Sequence, residues 1–298
     1  MKLDLFVIPY SFKSLDLSQE EMLRLVKQIG FDGVEGGTLT DEYIELLDKY
    51  GLKCCNCNMP LEPDGSVSEE TLKRLEQYNA NDIVKVQRPD EDMAAFFAEM
   101  MDPVRGYRGI PGAFGTFEDA IAAAEKEAES SRIAARYNYK TIYHNHTHEW
   151  RTSHGEYIMD TYLRHAQPNH VMELDVGWAL TAGTDPIYCM KRWPGRIGCL
   201  HIKSCNWAMD PEALGMSCPV PKPEIGLSRD RQNIQQAYAE GPQGPMEKSI
   251  CDWGEVIRAA LDAGCNTFIV ERERIYSGDA IECLQADHDH IRKCMDAL

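Results

Sequence analysis

Residues 170–204 read HVMELDVGWALTAGTDPIYCMKRWPGRIGCLHIKS and contain one complete unit of strand, helix and strand. HVMELDVGW and IGCLHIKS are short apolar runs typical of buried strands, and DPIYCMKRW between them is typical of a helix. Parallel strands need a crossover connection, so a helix placed between two strands favours parallel pairing. The stretch therefore predicts an α/β fold with a parallel sheet.

The same unit repeats along the whole chain. Eight apolar runs are predicted as strands: LDLFVIPY, FDGVEGG, LKCCNCNM, DIVKVQRP, TIYHNH, HVMELDVGW, IGCLHIKS and NTFIVERE. Eight strands with intervening helices close most economically into a (β/α)8 TIM barrel, here a single domain over residues 1–298. A doubly wound open sheet is the rival, but no glycine-rich phosphate turn follows the first strand.

One segment interrupts this rhythm between the seventh and eighth predicted strands. Residues 205–246 are rich in Pro, Gly and Gln and are too long for an ordinary connection. Such inserts are typical of a lid, a binding loop or a partner-docking element.

Charge and composition narrow the function classes. The net charge is −17, from 31 basic and 48 acidic residues, which disfavours nucleic acid and anionic membranes as partners because both need a basic surface. No apolar stretch approaches the roughly 20 residues of a membrane span.

The 11 cysteines are odd in number and no secretory signal precedes them, so we expect free thiols and a cytoplasmic location. Cys54 and Cys57 form a CxxC within a predicted strand, where buried structural thiols are expected.

Charged, imidazole or amide side chains lie at the ends of the last four predicted strands. They are His144, Asn145, His146 and Glu149, then Glu173 and Asp175, then His201 and Lys203, and finally Glu271 and Glu273. Burying such a group costs several kcal/mol unless a partner compensates, and the C-terminal ends of barrel strands face the active site. One divalent metal would explain all four strands, with Mn²⁺ as first choice and Mg²⁺, Co²⁺ or Zn²⁺ as alternatives for mixed O/N ligands.

The octet YHNHTHEW, residues 143–150, contains an internal conflict. Strand alternation places His144, His146 and His148 on one face and Glu149 on the other. The histidines and Glu149 can converge only if the strand ends near His146 and the chain turns. His148 is expected to do no more than hydrogen-bond a loop.

The stretches YHNHTHEW, MELDVGWALTAGTDPIYCMKRWPGRIGCLHIKS and FIVERE, with GDAIECL after them, resemble the sugar phosphate isomerase/epimerase family with a xylose-isomerase-like barrel, which includes the AP-endonuclease-2 type domain. The resemblance runs over most of the chain and is strongest from 141 to 203. It implies the metal ligands Glu149, Asp175, His201 and Glu271, with Lys203 beside the metal and His144 and His146 facing the substrate. The chain departs from the family at Ser204, where an acidic residue is common, and at PMEKSICDW before the last strand.

The resemblance implies proton abstraction next to the carbonyl of a keto-sugar, giving isomerisation or epimerisation through a metal-stabilised enediolate. The predicted catalytic residues are His146, Glu149, Glu271, Lys203 and His144, and the predicted substrate-binding residues are Asn145, Trp178 and Glu273. Trp178 is either a packing residue or a stacking surface for a sugar.

Other functions stay open at this point. The main alternative is a lyase-type β-elimination: dehydration of a keto-sugar, or cleavage of a 3-oxo-glycoside or C-glycoside with a partner subunit. An AP-endonuclease-like DNA-repair enzyme and a non-enzymatic sugar-binding subunit are more remote, since the charge argues against the first and the four ligand-bearing strands against the second. The expected partner is a small-molecule sugar or glycoside, with no nucleic acid or membrane. The chain is expected as a homo-oligomer or as a hetero-oligomer with a second subunit.

Overall fold

The computed structural model describes residues 2–89, 116–153, 155–206 and 243–298. Its strands are β1 (Leu5–Val7), β2 (Gly33–Glu35), β3 (Lys53–Cys55), β4 (Cys57–Pro60), β5 (Val84–Gln87), β6 (Thr141–His144), β7 (Thr152–Ser153), β8 (Glu156–Tyr157), β9 (His170–Asp175), β10 (Ile197–Ile202) and β11 (Phe268–Val270). Its α-helices are α1 (Gln19–Ile29), α2 (Asp41–Tyr50), α3 (Glu69–Tyr78), α4 (Phe117–Arg136), α5 (Ile158–His165), α6 (Val176–Thr181), α7 (Pro186–Arg192), α8 (Trp253–Asp262) and α9 (Ala280–Asp296).

Seven strands form one curled parallel sheet in the order β3-β2-β1-β11-β10-β9-β6, and β4 and β5 form a second parallel pair. Two contacts join them into a ring. β3 and β4 are consecutive in the chain, separated by Asn56 with a left-handed φ of 51°. At the other edge, Ile83 forms a parallel bridge with Lys140, directly before β6. The predicted TIM barrel is confirmed, except that the third predicted strand is split in two at Asn56.

Local sequence signals set the helix ends. Ser18 and Glu21 form the expected capping box of α1, and Gly30 ends that helix at a φ of 112°. Asp175 is the last residue of β9 and also the N-cap of α6, since its side chain accepts from the backbone N–H of Trp178. Helix α6 therefore starts at the mouth of the barrel with no intervening loop.

The barrel interior is divided into an apolar and a charged layer. Inward-facing apolar side chains from five strands and from the bridge residue Ile83 form a small separate cluster: Phe6, Cys55, Ile83, Val171, Cys199 and Ile269. Two residues further along β9 and β10, the same inward face carries Glu173 and His201. A much larger apolar core lies between the outer faces of the strands and the helices. The charged layer is thus held on a rigid apolar base.

The predicted insert, 205–246, lies mostly outside the described residues, since positions 207–242 are not described. Its two described ends lie side by side, because Asn206 Oδ1 accepts from the backbone N–H of Gly244 at 2.5 Å. Cys54, Cys55 and Cys57 are free and fully buried, as expected. In the part of the chain that the structure describes, no helix has the length and apolar character needed to span a membrane.

His170 gives the fold a pH-dependent contribution to stability. It is buried at the start of β9, where its Nδ1 meets the Thr141 hydroxyl and its Nε2 the Tyr162 hydroxyl, each at 2.7 Å. Burial, with a smaller effect of Arg196, lowers its pKa to about 4. An unfolded histidine has a pKa of about 6.5, so as the pH falls the unfolded chain takes up the proton first and the folded state loses stability.

We therefore expect wild-type protein to lose about 2 kcal/mol more stability between pH 7 and pH 5 than His170→Gln does. Urea unfolding at both pH values measures the difference. The exposed His165 offers the control, since His165→Gln should keep the wild-type dependence. Equal pH dependence of wild type and His170→Gln would contradict a neutral buried His170.

Candidate active site

Four side chains converge at the C-terminal ends of adjacent strands. His144 ends β6, Asp175 ends β9, His201 lies in β10 and Glu271 follows β11. One donor atom from each lies within 4.8 Å of the donors of the other three. Parallel strands place their carboxyl ends at one rim of a barrel, so this convergence follows from the topology. Three of these residues are the predicted ligands of strands six to eight.

Asp175 is fixed from two directions. Its Oδ1 accepts from the backbone N–H of Trp178 at 2.7 Å, which orients the carboxylate. Asn145 holds the backbone of the same residue, since its Oδ1 accepts from the Asp175 N–H at 2.9 Å and its Nδ2 donates to the Asp175 carbonyl at 3.2 Å. Asn145 is fully buried. Asn145, which was predicted to bind substrate, therefore holds the backbone of Asp175 in the structure.

Lys203 is the cation of the candidate site. Its Nζ lies 3.0 Å from Asp175 Oδ2, 3.0 Å from Glu271 Oε2 and 3.1 Å from Glu273 Oε1. Its ammonium also lies 4.6 Å from the centre of the Trp178 ring. Gly177 makes room for it, because a Cβ there would meet the Lys203 carbonyl oxygen at 2.7 Å. Trp178 is almost fully buried and packs under Lys203.

Behind the first group lies a second one, formed by Glu35, Glu173 and His201. Lys85 Nζ contacts Glu35 Oε1 at 2.6 Å, and the Asn56 amide donates to both glutamates. Sequence reasoning placed Glu173 among the polar residues at the strand ends but did not single out Glu35 and Lys85. The signal was present, because each is a charged residue within an apolar strand of the first half of the barrel.

Negative charge exceeds positive charge in this layer. Burial raises the pKa of Asp175, and Glu271 adds to the rise although Lys203 opposes it. Burial likewise raises the pKa of Glu273 against the effect of Lys203. Burial opposes a charge on His201, yet the Glu173 and Glu35 carboxylates raise its pKa well above the ordinary value. The site therefore favours an additional cation.

The donor set fits a divalent metal ion. It offers two imidazole nitrogens and two carboxylate oxygens, which suits Mn²⁺, Mg²⁺, Co²⁺ or Zn²⁺. Donors placed about 2.0–2.2 Å from one ion lie up to about 4.4 Å apart. The four donor atoms all lie within 4.8 Å of one another, so only small movements would close them around an ion.

Glu149 is the predicted ligand that the structure does not bring to this group. It lies in the short 3-10 helix His148–Trp150 and is fully buried. Its Oε1 accepts from the Tyr143 hydroxyl at 2.7 Å and its Oε2 from the backbone N–H of His146 at 3.0 Å. Tyr143 and His144 point to opposite faces of β6. The chain does turn after the strand, but it leaves Glu149 on the outer face, and His144 takes the place expected for it.

The remaining predicted residues lie at the rim. His146 is half-buried, with its ring 5.0 Å from that of His144 and 5.9 Å from that of Trp178. Glu273 contacts Lys203, and its backbone N–H donates to Gln243 Oε1 at 2.9 Å. Arg272 turns away and pairs with Asp287 inside the protein. The side chain of His148 lies outside what the structure describes.

No protein-family model matches the sequence, and no curated protein sequence matches it significantly. Solved structures do match. A sugar phosphate isomerase/epimerase from Parabacteroides distasonis is 18% identical, with a TM-score of 0.59 over 98% of this chain and 94% of that one. A xylose isomerase-like TIM barrel protein from Mycobacterium smegmatis, in complex with magnesium, is 15% identical with a TM-score of 0.57 over 99% and 97% of the two chains.

A probable 3-DHS dehydratase from Bacillus anthracis is 15% identical, with a TM-score of 0.56 over 96% of this chain and 98% of that one. At such identities the likeness concerns the fold and not the reaction. The match extends over nearly the full length of both chains in each case. The chain therefore has the fold of the xylose-isomerase-like TIM barrel proteins.

Proposed function

We propose that this protein is a divalent-metal-dependent enzyme that removes a proton next to the carbonyl of a keto-sugar or sugar derivative. The observation that carries the proposal is the group His144, Asp175, His201 and Glu271 at the rim of the barrel. The site lies where barrels of this fold carry their chemistry. Matching structures include a sugar phosphate isomerase/epimerase and a probable dehydratase, which supports a sugar-like substrate.

The ion would supply a Lewis acid that polarises a carbonyl and stabilises the negative charge formed when the neighbouring carbon loses its proton. The chain supplies the other groups. Lys203 lies beside the candidate ligands, so its ammonium can stabilise an oxyanion at the same place. His146 is our candidate for proton transfer, because an imidazole near the rim can take a proton close to neutral pH.

Two candidate reactions follow from this proton abstraction. The first is epimerisation or isomerisation: returning the proton to the other face gives an epimer, and returning it to the neighbouring carbon gives an isomer. Loss of a β-substituent instead gives elimination, and the likeness to a probable 3-DHS dehydratase favours this second candidate. Both begin with the same proton abstraction.

Several finer assignments belong to the same proposal. They are Mn²⁺ as the native metal, a small-molecule sugar or glycoside as the partner, assembly with identical or different subunits, and a cytoplasmic location. The net charge of −17 continues to argue against a DNA substrate.

Metal binding is the first testable consequence. We expect about one equivalent of Mn²⁺ per chain, and about 2.7 kcal/mol of stabilisation at a metal concentration a hundredfold above Kd. Calorimetric titration and thermal unfolding measure both. Asp175→Asn and Glu271→Gln should lose the effect, whereas Glu45→Gln on the exposed face of α2 should keep it. Less than about a tenth of an equivalent, with no stabilisation, would rule out the metal centre.

Two variants test whether His144 or Glu149 is the metal ligand. Loss of a residue that only hydrogen-bonds a metal ligand typically weakens metal binding about 10–100-fold. His144→Asn removes a proposed ligand itself, so it should weaken Mn²⁺ binding by at least about a hundredfold. Glu149→Gln should bind Mn²⁺ like wild type but lose about 1–3 kcal/mol of stability, because its amide would face the donors Tyr143 and His146. The reverse pattern in a Mn²⁺ titration would make Glu149 the ligand.

The reaction itself is tested in D₂O. Metal-loaded protein incubated with keto-sugars and 3-oxo-glycosides should introduce deuterium next to the carbonyl, detected by NMR and mass spectrometry. Deuterium in a recovered epimer or isomer supports isomerisation, and an unsaturated or cleaved product supports elimination. His146→Ala should slow exchange about 10²–10⁴-fold without loss of metal. Absence of exchange with every substrate would contradict proton abstraction.

A further inference from the structure

We propose that Glu35 and Glu173 are positioning residues that fix which nitrogen each histidine of the site presents to the metal. Neither glutamate belongs to the four-residue group at the rim, and both lie directly behind it. The inference rests on the proposed metal centre and assigns a role to residues that the proposed reaction leaves unused.

Glu35 holds His201. The Nε2 atom of His201 lies 3.0 Å from Glu35 Oε2, and the Nδ1 atom lies 2.8 Å from Glu271 Oε2. A histidine that binds a metal ion must be neutral, so its imidazole then carries only one N–H, and a carboxylate can only accept. With Nε2–H donated to Glu35, the lone pair of Nδ1 faces Glu271 and the other candidate ligands.

Glu173 holds His144 in the opposite orientation. The Nδ1 atom of His144 lies 3.1 Å from Glu173 Oε2, and its Nε2 atom lies 3.6 Å from Asp175 Oδ2. Donation of Nδ1–H to Glu173 leaves the lone pair of Nε2 directed at Asp175. The two histidines thus use different nitrogens. Glu173 contacts both of them, since its Oε1 also lies 3.3 Å from His201 Nε2, and that nitrogen therefore faces Glu35 and Glu173 together. Such carboxylate–histidine pairs orient ligands in many metal sites.

The two glutamates are themselves fixed. Asn56 Nδ2 donates to Glu173 Oε1 at 2.9 Å and to Glu35 Oε1 at 3.3 Å, so one amide ties them together. Asn81 in turn donates to Asn56 Oδ1 at 2.9 Å. Asn56 lies at the break between β3 and β4 in a left-handed conformation that Asn tolerates better than most residues. The break in the third strand therefore serves to place this amide.

The same three residues, Glu35, Glu173 and His201, also have the spacing of a metal site. Their contacts favour hydrogen bonding instead. Lys85 Nζ already supplies a cation to Glu35 at 2.6 Å, and the Asn56 amide contacts both carboxylates. A second ion would have to displace both groups. Metal stoichiometry separates the two possibilities.

The test compares Glu35→Gln and Glu173→Gln with wild type. Each amide keeps the shape of the carboxylate but can donate to the histidine, which favours the wrong tautomer. We expect Mn²⁺ binding to weaken about 10–100-fold in each variant. The absorption spectrum of the Co²⁺-loaded protein should change as well, because it reports the ligand geometry directly. Glu35→Asp retains an acceptor and should lose less affinity than Glu35→Gln.

Cys199→Ala is the matched control. The Cys199 thiol contacts Glu173 Oε1 at 3.3 Å, so this variant removes a contact of Glu173 but keeps the carboxylates that hold the two histidines. It should lower the melting temperature of the metal-free protein but leave Mn²⁺ affinity within about threefold. A purely structural role of the glutamates would likewise lower the melting temperatures of metal-free and metal-loaded protein equally, leaving the metal-induced increase unchanged.

The outcomes are distinct. Weaker binding with an altered Co²⁺ spectrum in both variants supports the inference. One equivalent of Mn²⁺ bound with wild-type affinity by both variants overturns it and leaves the metal centre intact. Two equivalents in wild type and one in Glu35→Gln also overturn it, since Glu35 would then be a ligand. No Mn²⁺ binding by wild type overturns the proposed function itself.

Discussion

The rest of this structure depends on one constraint: the barrel buries more carboxylates than it has cations to pair with them. Asp175, Glu173 and Glu271 lie inside the barrel, where unpaired charge costs several kcal/mol. Lys203 and Lys85 each bring one positive charge from a neighbouring strand. The hydrogen bonds of Asn56 and the two histidines complete the layer, and the proposed ion supplies the remaining positive charge.

The barrel makes this arrangement possible because each strand contributes only one or two polar residues. An apolar layer beneath the charged one keeps the strands in register and supports it from the N-terminal side. Asp175 shows how closely fold and site are joined, since one oxygen caps α6 and the other faces the site. Other barrels of this fold share the architecture, and substrate choice then depends on the loops around the rim.

Much of this could be predicted from local sequence. Apolar runs that end in charged residues placed Asp175, His201 and Glu271 among the candidate site residues, because such runs are a local property of the sequence, and the family resemblance then singled these three out as ligands. The path of the chain after β6 could not be predicted, since the hydrogen bonds of Glu149 to Tyr143 and His146 depend on a short 3-10 turn. Glu35 and Lys85 were visible as charged residues in apolar strands. The approach of Glu35 to His201, and of Lys85 to Glu35, depends on long-range strand order, which local patterns do not reveal.

Anomalous X-ray diffraction at the manganese edge, from crystals of Mn²⁺-loaded protein, tests the central claim most directly. The account predicts one strong peak about 2.0–2.3 Å from donor atoms of His144, Asp175, His201 and Glu271, the ordinary range for such ligands. A peak elsewhere in the barrel, or no peak in protein saturated with Mn²⁺, would contradict it.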